Sequence, residues 1–124
     1  MRVLDLTTLR GRRVDSHGSK GFSVAAFGLT AEAHLVTVTL APGGVIGRHP
    51  AAARQLLVVL DGEAVVFGGS DGTGEAVTVG PGQAVVWEPH EPHETRTVDG
   101  LVALVLEGEV EVGTPGHHVD PGDV

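Results

Sequence analysis

Apolar and polar residues alternate with a period of two along most of the chain, the pattern of strands that bury one face. Phe22 to Phe27 reads as one strand, and Ala33 to Leu40 as a clearer one. In the second, His34, Val36, Val38 and Leu40 share a face opposite Leu35, Thr37 and Thr39. It stops at Ala41-Pro42-Gly43-Gly44, a strong turn signal. Two apolar runs, Leu56 to Leu60 and Glu63 to Phe67, flank Asp61-Gly62, whose two residues both tolerate positive φ. That arrangement predicts a hairpin. A Gly-rich loop over 68–74 leads to a short strand, Glu75 to Val79, and Gly80-Pro81-Gly82 turns the chain again. Strands are expected over Ala84 to Trp87 and Glu94 to Val98, and Asp99-Gly100 predicts a second hairpin into Leu101 to Glu107. No window sustains apolar residues at i, i+3 and i+4 between caps. The expectation is an all-β antiparallel fold, a jelly roll or barrel of about eight to ten strands. It forms a single domain over 1–112 and leaves a loosely ordered tail over 113–124.

Composition narrows this further. The chain has 124 residues, enough for one domain with a real core. Only 3% of them are aromatic, so the core must be built from Val, Leu and Ala. Nineteen Gly and seven Pro supply the turns that many short strands need. The formal net charge of −8 opposes binding to nucleic acid or to anionic membranes. Arg2, Arg10, Arg12, Arg13 and Lys20 cluster near the N-terminus without interleaved aromatics, as in a solvated loop. The absence of cysteine excludes disulfides and thiolate chemistry. The first residues alternate charged and apolar positions and contain no signal-peptide core, and no run reaches the length of a membrane span. A cytoplasmic location is expected.

Two stretches carry candidate chemistry. Residues 43–62 read GGVIGRHPAAARQLLVVLDG, and residues 82–97 read GQAVVWEPHEPHETRT. They resemble the paired motifs of the cupin family, small antiparallel barrels also described as a double-stranded β-helix. Gly43, His49 and Gly62 fall on the first Gly, first His and last Gly of the first motif, with every spacing kept. Ala51 stands where that motif has its second His, and Gln55 where it has Glu. In the second motif Gly82 and His93 match the Gly and His, while Glu88, His90 and Thr97 occupy the Pro, Gly and Asn positions. The resemblance spans roughly residues 30 to 107 and implies a motif core over 43–97.

In family members with complete motifs, three His and a Glu converge on one divalent ion inside the barrel. Carried over residue by residue, the resemblance leaves His49 and His93 as metal ligands, with Gln55 offering only a neutral oxygen. His90, His34, Glu88 and Glu91 are candidates to complete the set. Zinc, nickel, iron or manganese suit such donors, and the alternative is no metal at all. His90 also reads as a surface turn residue, between Pro89 and Pro92, and His34 as a partly buried strand residue. His17 lies in a Ser/Gly loop, and the adjacent His117 and His118 read as solvated tail. Arg48 and Arg96 neighbour inward-facing histidines and should point outward, so these two and Arg54 are expected to be exposed and ion-paired. Trp87 reads as core, dimer contact or a ligand-stacking wall.

Three functions remain open at this level. The first is a small-molecule-binding barrel with a reduced or absent metal site, lined by His49, Gln55, His93 and Trp87. The second is a metal-dependent oxygenase or isomerase that uses His49, His93 and an atypical third ligand. The third is metal-free general-base catalysis by His49 or His93. The family's sugar-epimerising members use a Tyr for that chemistry, and this chain has none. The resemblance also implies a homodimer paired through edge strands.

Overall fold

The computed structural model describes residues 1–25, 27–71 and 74–115. The described residues form eleven strands: β1 (Arg2–Asp5), β2 (Arg12–Val14), β3 (Phe22–Val24), β4 (Phe27–Leu40), β5 (Val45–Pro50), β6 (Arg54–Gly62), β7 (Ala64–Phe67), β8 (Val77–Val79), β9 (Gln83–Trp87), β10 (Pro92–Arg96) and β11 (Leu101–Pro115). Two short 3-10 turns, Leu6–Thr8 and Ser16–Gly18, complete the elements, and the described residues contain no α-helix. None of their helical segments is long and apolar enough to cross a membrane.

The strands assemble into a five-stranded sheet of order β1-β9-β6-β11-β4 and a four-stranded sheet of order β5-β10-β7-β8, with β2 and β3 as a separate pair. All pairings are antiparallel. The architecture is the all-β jelly-roll barrel that the alternation predicted. The interior between the sheets is filled by Leu57, Val59, Ala64, Val66, Val79, Val85, Trp87, Leu101, Ala103 and Val105, drawn from both sheets. The opposite face of the five-stranded sheet is buried as well, because Leu56, Ala84, Val86 and Val110 cluster there against Leu4 and Leu6. Burial on both faces explains why Leu56 to Val59 reads as an unbroken apolar run and not as an alternation.

Several expected boundaries move. The segment Phe22 to Phe27 divides between β3 and β4, and β4 begins at Phe27, well before Ala33. β11 runs on to Pro115, pairing with β4 as far as Phe27. β5 was not expected, since its sequence VIGRHP has no alternation, and Pro92 opens β10 where a turn was expected. A proline is tolerated there because the first residue of a strand can forgo its N–H bond.

The larger correction concerns the two Asp-Gly turns. β6 and β7 are not hydrogen-bonded to each other, nor are β10 and β11, so neither Asp61-Gly62 nor Asp99-Gly100 closes a hairpin. Each carries the chain across from one sheet to the other. The two corners lie together: Gly62 is in register with Leu101, and the Glu63 N–H donates to the Gly100 carbonyl over 3.4 Å.

β4 closes one side of the five-stranded sheet and, among the described residues, pairs only with β11. Leu35 and Val36 at its centre are 61% and 49% exposed. On its inward face His34, Val36, Val38 and Leu40 lie opposite Glu107, Val105, Ala103 and Leu101.

Candidate functional site

The site is assembled from facing rows of the two sheets. In the four-stranded sheet, His93 of β10 is paired in register with His49 of β5. The next pair is Thr95 with Ile46, so β5 contributes one residue more than β10 over this interval. That bulge lets His49 and Ile46, three apart in sequence, both face inward. The His49 ring helps close it, since its Nδ1 lies 2.7 Å from the Gly47 carbonyl. The His93 Nδ1 lies 3.3 Å from the Glu91 carbonyl. A carbonyl oxygen only accepts, so each Nδ1 carries a proton and leaves Nε2 for a ligand. The two ring centroids are 4.4 Å apart, tilted by 52°.

The five-stranded sheet supplies the opposite wall. Trp87, Gln55 and Glu107 stand side by side in register across β9, β6 and β11. Trp87 is buried, its indole N–H donates to the Phe67 carbonyl over 3.0 Å, and its ring lies 4.8 Å from that of His93. The Gln55 amide donates to the Glu107 carboxylate over 2.5 Å. Between the walls is a cavity of about 200 Å³, lined by His49, His93, Gln55, Trp87, Thr95 and Glu107 together with Val36, Val38, Ile46, Leu57 and Val105.

The structure therefore gathers His49, Gln55, His93 and Trp87 in one place. Glu107 was missed, although a signal for it existed: Leu101, Ala103, Val105 and Glu107 alternate along β11, and the first three belong to the interior. His90 does not line the cavity. It is exposed, has a φ of 68°, and its N–H donates to the Ala51 carbonyl over 2.7 Å. Ala51 is completely buried, and its own N–H donates to the Glu91 carbonyl, so this backbone ties the turn over 88–91 to the end of β5. His34 is exposed and in register with Glu107. His17 is exposed in its loop, and His117 and His118 lie outside the described residues. Arg96 is exposed and pairs with Glu94 over 2.7 Å, as expected; Arg54 pairs with Glu88 and Glu111 but is partly buried, and Arg48 is exposed. Thr97 caps the second corner by accepting from the Gly100 N–H.

The donor set was tested against the metal that complete cupin motifs imply. Among the described residues no group of three or more His, Cys, Asp or Glu side chains is arranged to hold an ion. Ala51 has no donor atom, and Gln55, whose amide nitrogen donates to Glu107, could turn only a neutral carbonyl oxygen toward an ion. The side chains as placed do not fit a resident divalent cation.

A family model described as a cupin domain matches residues 36–106, more than half of the sequence. The chain belongs to the cupin domain family. Solved structures agree on the fold. This cupin is 14% identical to a cupin superfamily protein from Desulfitobacterium hafniense, over 86% of this chain and 97% of that one, with a TM-score of 0.55. It is 24% identical to a conserved Streptococcus pyogenes protein of unknown function, over 63% of this chain and 66% of the other, with a TM-score of 0.53. An oxalate oxidase aligns at 21% identity and a TM-score of 0.54, over 61% of this chain and 43% of its own. The cupin thus spans just under two thirds of the Streptococcus protein and less than half of the oxidase. No curated protein matches the sequence.

The electrostatics of the site favour an uncharged imidazole at the cupin's centre. Burial is the main influence holding His93 below the ordinary imidazole value of 6.5, and the nearby His49 adds to it, against the opposing hydrogen bond to the Glu91 carbonyl. A ring with a depressed folded value binds fewer protons than the same ring in the unfolded chain. Stability therefore rises with pH through that window, and it is lost as pH falls from about 6.5 toward the folded value. Glu91 adds a second loss at lower pH. Desolvation pushes its carboxyl up, but hydrogen bonds from the Met1 ammonium (2.8 Å), Glu88 N–H and Gly69 N–H outweigh this and hold it below 4.5. Urea midpoints measured against pH should fall on acidification in two stages. His93→Gln should remove the upper stage and leave the lower. A wild-type midpoint that stays level between pH 7 and pH 5 would contradict this account of His93.

Proposed function

We propose that this cupin is a small-molecule-binding protein whose ligand lies in the cavity between the sheets. The supporting observation is the cavity itself. Its apolar walls of Val36, Val38, Ile46, Leu57 and Val105 surround a few convergent polar groups, His49, His93, Gln55 and Glu107, the usual make-up of a site for a small organic molecule. A volume of about 200 Å³ is roughly that of six or seven liquid waters, which limits the ligand to a compact molecule. At the positions of the missing family ligands Ala51 contributes no donor and Gln55 an uncharged amide, which supports an organic ligand over an ion and leaves Glu107 as the charged group of the cavity.

The test is a small-molecule screen read by NMR on the imidazole ring signals. Compounds that bind should move the His49 and His93 resonances together, and His93→Ala should reduce their affinity by about tenfold or more, the loss of one good polar contact. Metal analysis of untagged protein is the control. Stoichiometric metal that is lost in both His49→Ala and His93→Ala would overturn the binding-module reading in favour of a metal-dependent enzyme.

A further inference from the structure

We propose that the cavity selects a small organic ammonium, a compact primary amine with an apolar body, and that the Glu107 carboxylate is the group that recognises its charge. This deepens the ligand-binding reading above and rests on it. Both imidazoles spend their Nδ1 proton on backbone carbonyls, those of Gly47 and Glu91, so what each ring has left is Nε2. Gln55 spends one of its two amide hydrogens on Glu107 and keeps one N–H and its carbonyl oxygen, and the Thr95 hydroxyl can donate or accept. The Trp87 N–H is spent on Phe67. Acceptors therefore predominate in the site, and its one fixed charge is the negative charge of Glu107.

No arginine or lysine lines the cavity to balance that charge. Among the described residues Glu107 forms no ion pair, and its hydrogen-bond partner is the neutral Gln55 amide. The nearest arginine along the strand from Gln55, Arg54, points the other way and is held by Glu88, Glu111 and the Val110 carbonyl. A primary ammonium brings three donors and one positive charge to this set, which complements it on both counts. A carboxylate ligand would bring acceptors against acceptors and a like charge against Glu107, a repulsive arrangement of the kind that enforces specificity. The aliphatic walls then take up the ligand's hydrocarbon body.

The test compares three probes of one size, butylamine, 1-butanol and butyrate, by NMR titration of the full chain at neutral pH. Butylamine should bind roughly tenfold or more tightly than butyrate, a difference of about 1.4 kcal/mol. Glu107→Gln keeps the shape of the side chain and a partner for Gln55. It should remove most of that preference while leaving the affinity for 1-butanol within about twofold. Butyrate binding as tightly as butylamine, or a preference unchanged in Glu107→Gln, would overturn the charge selection alone, since the probes would still occupy the site. If no probe moves the His49 and His93 signals, the cavity is not a ligand site and both readings fall. Zinc bound stoichiometrically and lost in Glu107→Gln would also overturn the inference, by showing the carboxylate to be a metal ligand.

Discussion

Replacing Trp87 with Ala is expected to lower the unfolding free energy of this cupin by about 3–5 kcal/mol, the cost of truncating a large buried aromatic. Trp87 is the largest of the fully buried side chains, 1% exposed, and it belongs to the interior cluster fed by both sheets. Its indole also supplies the hydrogen bond to the Phe67 carbonyl, so truncation leaves a void and an unpaired acceptor together. Stabilities of single domains are typically about 5–15 kcal/mol, so this loss takes a large share of the total. Trp87→Phe should cost less, about 1–3 kcal/mol, because a ring remains under His93 and mainly the Phe67 hydrogen bond and part of the volume are lost. Urea unfolding followed by far-UV circular dichroism measures both variants; fluorescence cannot, because the chain has a single Trp. A Trp87→Ala loss below about 1 kcal/mol would show that the interior is not packed around this residue.

The same residue shows what the sequence made legible and where local reading stopped. Alternation identified the strands and their inward faces, because a half-buried strand must segregate its side chains by parity. The family motifs, and not alternation, singled out His49, Gln55 and His93, which the structure brings to one cavity. Parity along β11 also contains Glu107, a carboxylate that lies outside both motifs and follows three core residues at the same spacing. Two things were not legible from local pattern. One was β5, where the bulge that brings Ile46 and His49 to the same side destroys the alternation that would have revealed the strand. The other was the partner of each strand. An Asp-Gly pair satisfies a tight turn whether the next strand folds back beside the last or crosses to the facing sheet, and long-range pairing decides between these. β6 lies between β9 and β11, and β7 between β10 and β8, so neither had a side left to pair with the other. The hairpin expectation failed for that reason, and the residues at the corner acquired a different role from the one a hairpin would give them.

That role makes Gly62 the most constrained turn position in the fold. Gly62→Ala is expected to cost about 2–5 kcal/mol, from two independent sources. The first is conformational. Gly62 has a φ of 79°, and a residue with a Cβ pays roughly 1–2 kcal/mol to occupy the left-handed region. The second is steric. A Cβ at this position would overlap the Gly100 carbonyl oxygen and come within 2.9 Å of its carbon and 3.2 Å of the Leu101 Cα. These are backbone atoms of the second corner, and they cannot withdraw without disturbing the register of Leu101 with both Gly62 and Leu40. Forced overpacking of this kind typically adds about 1–3 kcal/mol. Gly80→Ala is the matched control. It also lies in a turn between the two sheets, but it has ordinary φ and open space where the methyl group would go, so its effect should stay within about 0.5 kcal/mol. Equal midpoints for the two variants in urea would mean that the corners are free to separate. The two Asp-Gly crossings would then be independent turns, and the close approach of Gly62 to Gly100 would carry no energetic weight.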